Sequence, residues 1–570
     1  MSVSAQGTND AAVRIKGLLK NRIGTALLGA EQPHADALRC LVDPAVVREA
    51  VAVLVLEGAR FLITVGIDER PLGRGYAIVH LFSLDAEHLF VALHQAVDPA
   101  EARIAAITPV VPAAGWAERE FRDAIGVVPE GHPDPRRLML PDDWPEGTYP
   151  LRRDVRYDFR PPSVPGMAPE PRPAPAGASV IPMGPFFPTL EEPAHWRLFV
   201  EGETIVGCDY RGFYNHRAIE KLGDSVLSYD KIPFVAERIC GICGFIHSTC
   251  CCQALEKAAG IEAPARARFI RTVMLELERV HSHLLWLGIA GHIIGFETVL
   301  MQTWRIREPV MWLSEEISGN RKTYGMNCVG GVRRDITPEL AGKMRDVLAT
   351  VGREVAAVRK AIGTDTTLLA RTRGVGVLTR DEAVRMAVVG PPARASGVAI
   401  DARVDHPYAA YAEIPPRLSV QQEGDVWARV VVRLDELADS LRIIGAALDQ
   451  MPAGSLRAEI TQEIPPDRIG ISVVEAPRGE AVHYVQTGGD GRAYRWRVRA
   501  PTYPNLQAVP AMVTGGAIAD VPITVGSLDP CFSCTERVEA IDVHGGGVRI
   551  YSHDELLAMW AARAGRGGSR

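Results

Sequence analysis

Two Cys-x-x-Cys pairs are the residues most suited to chemistry, because each pair can bind a metal. Cys240 and Cys243 lie in Arg-Ile-Cys-Gly-Ile-Cys, and Cys531 and Cys534 lie in Asp-Pro-Cys-Phe-Ser-Cys. Two such turns can offer four thiolates to one centre, and thiolates favour zinc, iron–sulfur clusters and other thiophilic metals. Structural zinc is the commonest use of the pattern, but zinc spacers are usually about 15–20 residues. The separation of 291 residues between the pairs therefore indicates a site assembled by a whole domain.

The residues around both pairs resemble the two signature motifs of the nickel–iron hydrogenase large subunit. The resemblance runs from about residue 185 to residue 537, and it is to the membrane-bound branch related to complex I, the formate hydrogenlyase and hydrogenase-4 type. Residues 116–154 resemble the thirty-kilodalton subunit of complex I. The resemblance implies reversible reduction of protons to hydrogen, with hydrogen evolution favoured. The alternatives are a fused complex I subunit, combining its thirty- and forty-nine-kilodalton chains, that acts at a quinone site without metal, and a scaffold with structural zinc.

The same resemblance implies a nickel–iron centre whose iron carries carbon monoxide and cyanide ligands. Cys240 and Cys531 would then bind nickel terminally, while Cys243 and Cys534 would bridge nickel to iron. Cys531 is the candidate for the first proton acceptor. Glu192 falls where the family places its proton-relay glutamate, although the spacing to the following histidine is one residue longer than in the uptake enzymes.

Further residues are predicted to surround the centre. Pro477 and Arg478 resemble the family's Ala-Pro-Arg-Gly stretch, which implies an arginine above the metals whose planar fork binds cyanide nitrogen. His247 can donate to a cysteine sulfur, and Glu220 resembles the glutamate that helps to hold a structural magnesium or iron. Uptake enzymes have aspartate between two histidines where this chain has Ser282, so the contact to the arginine must be made differently or be absent.

Composition limits the function classes. The net charge of −6 with 23% charged residues gives no basic footprint for nucleic acid. The ten cysteines are too unevenly spread for a secreted disulfide framework, which favours a reducing compartment. The start of the sequence shows no apolar signal segment. The longest apolar stretch of the whole sequence is shorter than the roughly 20 residues needed to cross a bilayer. These features indicate a soluble subunit.

The remaining cysteines are predicted to be structural. Three consecutive residues cannot all face one metal, so Cys250, Cys251 and Cys252 are interpreted as small buried hydrophobic residues. No cysteine cluster is then left for an iron–sulfur cluster in this chain, and electrons must leave through another polypeptide.

The predicted fold class is α+β. A small N-terminal α+β domain resembling the thirty-kilodalton subunit (residues 1–157) is followed by a proline-rich linker (158–184). A mainly helical large-subunit domain with peripheral strands resembles the forty-nine-kilodalton subunit of complex I (185–537). The C-terminal extension (538–570) is expected to be cleaved on maturation, after Arg537.

Hydrophobic patterns place the elements within these domains. Residues 51–67 and 76–84 predict buried strands, and the acidic stretch 85–94 is helix-like. Residues 265–287 predict a long helix, and a continuous apolar face at steps of three and four predicts another over 425–450.

The resemblance also implies partners and a location. The expected partners are an iron–sulfur small subunit similar to the twenty-kilodalton subunit of complex I, ferredoxin-like subunits and membrane-arm subunits. A maturation endopeptidase and nickel-insertion proteins are expected to act on the chain. Its expected location is cytoplasmic, peripheral on the inner membrane.

Overall fold

The computed structural model describes residues 5–531 except 142–143, 160, 163, 165–170, 185–193, 214–216 and 461–462, together with two short strands beyond them. Glu192 and Cys534 lie outside the described residues, as does most of 538–570. None of the described helices is long and apolar enough to cross a membrane.

The N-terminal part contains a five-stranded sheet, a separate parallel pair of short strands and three helices. Its elements are α1 (Ala5–Ile23), β1 (Leu27–His34), β2 (Ala37–Val42), α2 (Val47–Leu56), β3 (Arg60–Asp68), β4 (Tyr76–Leu84), β5 (Leu89–Val97), β6 (Arg103–Ala105), α3 (Gly115–Ile125) and β7 (Val128–Glu130). The sheet order is β1-β2-β5-β4-β3, and only the β2–β5 pair in it is parallel.

Two predictions for this part were wrong. Residues 51–56 belong to α2, where Val47, Ala50, Val51 and Leu54 bury one helix face. Residues 89–94 belong to β5, all of whose residues but Ala96 are buried. A strand buried on both faces loses the polar–apolar alternation that identifies strands, so its sequence resembles a helix.

A three-stranded sheet follows the proline-rich segment. It contains β8 (Ser179–Met183), β9 (His195–Glu201) and β10 (Thr204–Arg211), in the order β10-β9-β8. The strand β8 falls inside the predicted linker and pairs with β9. Its Pro182 is compatible with pairing because β8 is an edge strand, where a missing N–H can face outward.

The helical core surrounds one long helix. Its elements are α4 (Ile219–Gly223), α5 (Ile232–Ala236), α6 (Gly244–Ala259), α7 (Ala265–Ile293), α8 (Glu297–Ser318), β11 (Asn327–Cys328), β12 (Gly331–Val332), α9 (Pro338–Thr364), α10 (Thr366–Ala370), α11 (Arg380–Arg385), α12 (Pro391–Ala395), α13 (Ala402–Asp405) and α14 (Val426–Gln450). Helix α7 is buried almost along its length and packs against α8 and α14. The two long predicted helices are confirmed as α7 and α14, and Asp425 caps α14 by accepting from the Ala428 N–H.

The last described part is another three-stranded sheet, followed by short helices and a pair of two-residue strands. It comprises β13 (Ile469–Ala476), β14 (Gly479–Thr487), β15 (Ala493–Arg499), α15 (Thr502–Gln507), α16 (Val509–Val513), α17 (Val521–Gly526), β16 (Ala540–Ile541) and β17 (Val548–Arg549). Strands β13 and β14 contact α6 on one side and share an apolar cluster with the N-terminal sheet on the other. The α+β fold class is confirmed.

Strand β15 attaches the N-terminal sheet through its arginines. Arg495 donates to the Gly66 carbonyl (3.0 Å), Arg497 to the Thr64 carbonyl (3.4 Å) and Arg499 to the Leu62 carbonyl (3.1 Å). Alternate residues of one strand thus satisfy alternate carbonyls of β3, the edge strand of its own sheet. This arrangement fixes the register between the two parts of the chain.

Glu480 lies at the centre of a buried ion cluster at this junction. Its carboxylate accepts from both terminal nitrogens of Arg60 (3.0 and 2.9 Å) and from Arg499 (2.5 Å), while Arg60 also binds Asp85. Burial opposes ionisation of Glu480, but the two arginines outweigh it and lower the pKa to about 2. The carboxylate is therefore ionised at neutral pH.

Glu480→Leu should destabilise the protein strongly, because it leaves buried arginine charge without its carboxylate. We expect a loss of about 3–5 kcal/mol in the free energy of unfolding, measured by chemical denaturation. Asp449→Leu is the control, since Asp449 pairs with Arg345 on the surface with 67% and 44% of their side chains exposed. That control should change stability by less than about 1 kcal/mol. Equal stability of the two variants would contradict this role of Glu480.

Candidate metal centre

Cysteines from the two pairs meet in the protein interior. Cys240 and Cys243 lie in the turn before α6, and Cys531 follows α17. The sulfurs of Cys240 and Cys531 are 3.4 Å apart, and all three residues are buried. The described residues contain no group of three or more His, Cys, Asp or Glu side chains arranged to hold a metal, and the fourth cysteine, Cys534, is not among them. The structure thus brings together one thiol from each predicted pair.

The first cysteine turn is held by the carboxyl group of Glu278 on α7. Glu278 accepts from the backbone N–H groups of Phe245 and Ile246, both at 2.9 Å, and from the Thr323 hydroxyl at 3.0 Å. These two N–H groups lie in the first turn of α6 and have no carbonyl partner within the helix. Glu278 thereby fixes the first turn of α6 and, through it, the position of Cys243 immediately before the helix.

The second cysteine loop is held by buried side chains from other elements. The Cys531 N–H donates to the Thr502 hydroxyl (3.1 Å). Two arginines one turn apart on α14 bind the residue at the start of the loop: Arg429 donates to the Ser527 hydroxyl (2.8 Å) and Arg433 to its carbonyl (3.0 Å). The loop is therefore positioned from both sides.

Arg478 lies in the tight turn between β13 and β14 and connects the second cysteine loop to α7. Its Nε donates to the Asp529 carbonyl (2.6 Å), Nη2 to the Asp529 carboxylate (2.8 Å) and Nη1 to the Ser282 hydroxyl (3.3 Å). The contact from α7 is therefore made by a serine hydroxyl where the sequence lacks aspartate. Sequence reasoning did not single out Asp529, although it begins the Asp-Pro-Cys motif.

Two glycines allow the Arg478 turn to pack closely. Gly479 has φ +126°, and a Cβ there would lie 2.7 Å from Val389 Cγ2. Gly390 has φ +71°, and a Cβ there would lie 2.4 Å from the Gly479 Cα. The two backbones are in direct contact, and Asn505 donates to the Arg478 carbonyl from a third side (3.2 Å). The position of the guanidinium is thus determined by backbone packing.

The electrostatics of the site favour a thiolate. Hydrogen bonds from the neighbouring Cys243 and Cys531 thiols lower the pKa of Cys240 well below its ordinary value; the charge of Arg478 adds to this effect and burial opposes it, while the same pairing raises the pKa of Cys243. Burial opposes the charge of Arg478, but Asp529 and the three cysteines raise the pKa of Arg478 well above its usual range. A fixed positive charge therefore lies beside a cysteine that is readily deprotonated, which is the state that binds a metal.

His247 and Glu220 have partners away from the cysteines. His247 Nδ1 lies 3.2 Å from His483 Nε2, and both rings are fully buried. The Glu220 carboxylate pairs with Arg495 (2.7 Å) and Arg497 (2.8 Å), which together with the Val498 N–H lower the pKa of Glu220 to about 2 despite its burial. The structure does not bring Glu220 together with a second predicted metal ligand among the described residues.

The cysteines that follow the first pair are buried on α6. Cys250 donates its thiol to the Ser472 carbonyl (3.3 Å), and burial raises its pKa to about 12. Burial likewise raises the pKa values of Cys251 and Cys252 well above the ordinary value. These thiols are protonated at neutral pH and pack as apolar side chains.

Family models match the chain in three regions. Residues 294–471 and 461–537 match the 49 kDa subunit of respiratory-chain NADH dehydrogenase, and residues 40–160 match its 30 kDa subunit. Residues 226–288, which include the first cysteine pair, match nickel-dependent hydrogenase. The fold and site therefore define an oxidoreductase subunit in which parts similar to these two NADH dehydrogenase subunits are fused.

Individual relatives narrow the class. The chain is 40% identical to hydrogenase-4 component G of Escherichia coli, covering 98% of both chains. It is 40% identical to formate hydrogenlyase subunit 5 of the same organism, covering 88% of this chain and 89% of the relative. A chain in the solved structure of the membrane-bound sulfane sulfur reductase, an archaeal respiratory membrane complex, superposes with a TM-score of 0.60 at 29% identity, covering 64% of this chain and 100% of that one. The protein belongs to the family of complex-I-related, membrane-bound nickel–iron hydrogenase large subunits.

Gly479→Ala should displace the Arg478 turn, because its Cβ would lie 2.7 Å from the Val389 side chain and 2.8 Å from the Gly390 nitrogen. We expect a loss of about 1–3 kcal/mol in the free energy of unfolding. Gly489→Ala, in the turn between β14 and β15, is the matched control because its Cβ would meet no atom within 4 Å. Chemical denaturation of both variants checks this prediction, and a Gly479→Ala variant as stable as the control would refute it.

Proposed function

We propose that this chain is the catalytic large subunit of a membrane-associated nickel–iron hydrogenase that reversibly reduces protons to hydrogen. The observation that carries the proposal is the 3.4 Å approach of Cys240 and Cys531, from motifs 291 residues apart, in a buried site beside Arg478. The family of the chain supports the same chemistry. Analysis of the purified protein for nickel and iron is the direct test, since zinc alone, or no metal, would refute the proposal.

The residues present fit such a centre. Buried cysteines with a fixed guanidinium beside them suit a soft, anionic metal cluster. In the proposed arrangement Cys240, Cys243, Cys531 and Cys534 would hold the nickel–iron centre through their thiolates. When bound, the centre polarises dihydrogen and exchanges two electrons with it. A structural magnesium or iron at Glu220 has less support, because arginines already occupy that carboxylate.

The protein's own groups then bind, orient and move protons. Arg478 is held by Asp529 and Ser282, so its fork keeps one orientation next to the loop that carries Cys531. Cys531, whose N–H is held by Thr502, is the proposed first proton acceptor. Glu192 is the proposed next carrier, and it lies outside the described residues. The buried site excludes bulk water, which confines proton movement to such carriers.

We propose that electrons leave on the side of the first cysteine turn. Gly241, between Cys240 and Cys243, is exposed, and a Cβ added to it would meet no atom within 4 Å. Beside it lies Arg238, with 52% of its side chain exposed and its guanidinium 4.5 Å from the Tyr324 ring. The turn that carries Cys240 and Cys243 thus reaches the protein surface at Gly241, which suits an iron–sulfur partner subunit that docks there.

The rest of the assembly follows from the family. We propose that ferredoxin-like subunits exchange electrons with the iron–sulfur partner subunit. We also propose that membrane-arm subunits hold the complex on the cytoplasmic face of the inner membrane. We also propose that nickel-insertion proteins load the site while residues 538–570 are attached. A maturation endopeptidase would then cut after Arg537, so that the second cysteine pair closes over the metals.

Cys531→Ser should abolish nickel binding or leave the centre inactive, because a hard, weakly acidic hydroxyl replaces a soft thiolate. Nickel content and viologen-linked hydrogen turnover measure the effect. Cys250→Ser is the matched control: it is the same change at a buried thiol, and the serine hydroxyl can still donate to the Ser472 carbonyl. The control should keep its nickel and activity. Wild-type activity in Cys531→Ser would refute the ligand assignment.

Arg478→Lys should allow the centre to assemble but should lower turnover about 10–100-fold, the usual effect of a lost outer-shell contact. Lysine keeps the charge and loses the fork that binds Asp529. Arg271→Lys is the control, since Arg271 is equally buried and binds Glu256 through two nitrogens (3.0 and 2.6 Å). Turnover per bound nickel should fall only in Arg478→Lys. Equal turnover in fully metallated Arg478→Lys and wild type would show that the fork has no catalytic role.

A further inference from the structure

Three fully buried side chains form a hydrogen-bonded chain that ends near the cysteines. Trp496 Nε1 on β15 donates to His483 Nδ1 on β14 at 3.2 Å. His483 Nε2 in turn lies 3.2 Å from Nδ1 of His247 on α6. His247 lies one helical turn after Cys243 on α6, where its backbone N–H donates to the Cys243 carbonyl (3.4 Å).

The direction of these hydrogen bonds follows from the chemistry of the three side chains. An indole nitrogen is only a donor, so His483 Nδ1 must be the acceptor. A neutral His483 therefore carries its proton on Nε2 and donates it to His247 Nδ1. A neutral His247 that accepts at Nδ1 must in turn carry its proton on Nε2. The whole chain thus has one direction, from the indole to His247 Nε2–H.

Both imidazoles are neutral in this environment. Burial lowers the pKa of His247 to about 4, with Cys240 favouring the charged ring and Arg478 opposing it. Burial also lowers the pKa of His483 well below its ordinary value, with His247 opposing the charged ring and Glu220 favouring it less strongly. The direction of the chain therefore holds at neutral pH.

We propose that His483 and Trp496 are positioning residues that fix the tautomer of His247, so that its Nε2–H serves as a hydrogen-bond donor to the cysteine cluster. Among the described residues His247 Nε2 has no hydrogen-bond partner, although it is buried. Such an orphan donor is costly unless an acceptor such as a metal-bound sulfur lies in front of it. The opposite tautomer would present a lone pair to that sulfur and would repel it. The role at the sulfur rests on the proposed function, whereas the tautomer does not.

Trp496 cannot easily turn away from His483. A Cβ added to Gly223 on α4 would lie 2.2 Å from Cε3 of the indole, so the ring packs directly against that backbone. Trp496 is also fully buried, in a cluster that includes Ala236 and Leu255. The donor at the start of the chain is therefore held rigidly.

The test is long-range ¹H–¹⁵N NMR of the purified full-length chain with ¹⁵N-labelled histidines and no loaded centre. The spectrum shows which nitrogen of each ring carries the proton, and the loss of signals in His247→Gln and His483→Gln assigns them. We expect both rings to be protonated on Nε2. In His483→Gln the amide still donates to His247 Nδ1, so His247 should keep its tautomer. In His483→Leu that donor is gone, and His247 should become a mixture of tautomers.

Trp496→Phe should give a tautomer mixture at His483, since the ring remains but its donor is lost. Trp286→Phe is the matched control because it removes another buried indole donor, which binds the Gly526 carbonyl (2.8 Å). That control should leave both rings unchanged. If His483→Leu does not fold, the wild-type spectrum and the spectrum of Trp496→Phe still test the assignment of the tautomers. A wild-type His247 protonated on Nδ1, or unchanged tautomers in both His483→Leu and Trp496→Phe, would overturn the proposal.

Activity separates this inference from the function on which it rests. In the metal-loaded enzyme His483→Gln should keep most of its hydrogen turnover, while His483→Leu should lose about tenfold or more. Equal turnover in these two variants would overturn the role of the tautomer at the sulfur. A wild-type chain with the expected tautomers that binds no nickel would refute the proposed function and leave the hydrogen-bond chain intact.

Discussion

The hydrogen-bonded ion pair of Arg478 and Asp529 is the interaction on which the site depends. It joins a strand turn to the loop that carries Cys531, while the same guanidinium reaches Ser282 on α7. Each of these segments packs against a different part of the core, so a shared buried contact is needed to set their relative positions. A planar fork with fixed charge provides both direction and strength in one side chain.

The surroundings of this contact are unusually rich in buried charge. Arg279 donates to the Ala476 carbonyl (3.2 Å), just before the Arg478 turn. Together with Arg394 and Arg403 it shares four carboxylates. The carboxylates are those of Glu276, Asp401, Glu436 and Glu475. Such pairs add little net stability, because removing ions from water costs about as much as their attraction returns. They are, however, geometrically exacting, since a displaced partner leaves an unpaired buried charge. A network of this kind suits a site in which α7, α14 and β13 must keep one arrangement.

How far the sequence predicts this structure depends on how local the determining contacts are. The helices α7 and α14 are visible because their apolar residues recur at helical spacing. The cysteine pairs are visible because each pair is a short motif. Strand β5 was not predicted, since burial on both faces removes its alternation. The contacts of Asp529, His483 and Trp496 join residues that no local pattern connects, although the Asp-Pro-Cys motif marks the first of them.

Strand β15 shows how one local rule produces two distant effects. Side chains of a strand alternate between its faces. Arg495, Arg497 and Arg499 therefore all point toward β3 and hold the N-terminal sheet. Trp496, between them, must point to the opposite face, where it meets His483 and the close backbone of Gly223. The arginine contacts that dock the N-terminal sheet thus also fix the position along β15 from which the Trp496 indole reaches His483. A shift of β15 by one residue would exchange the two faces and break both at once.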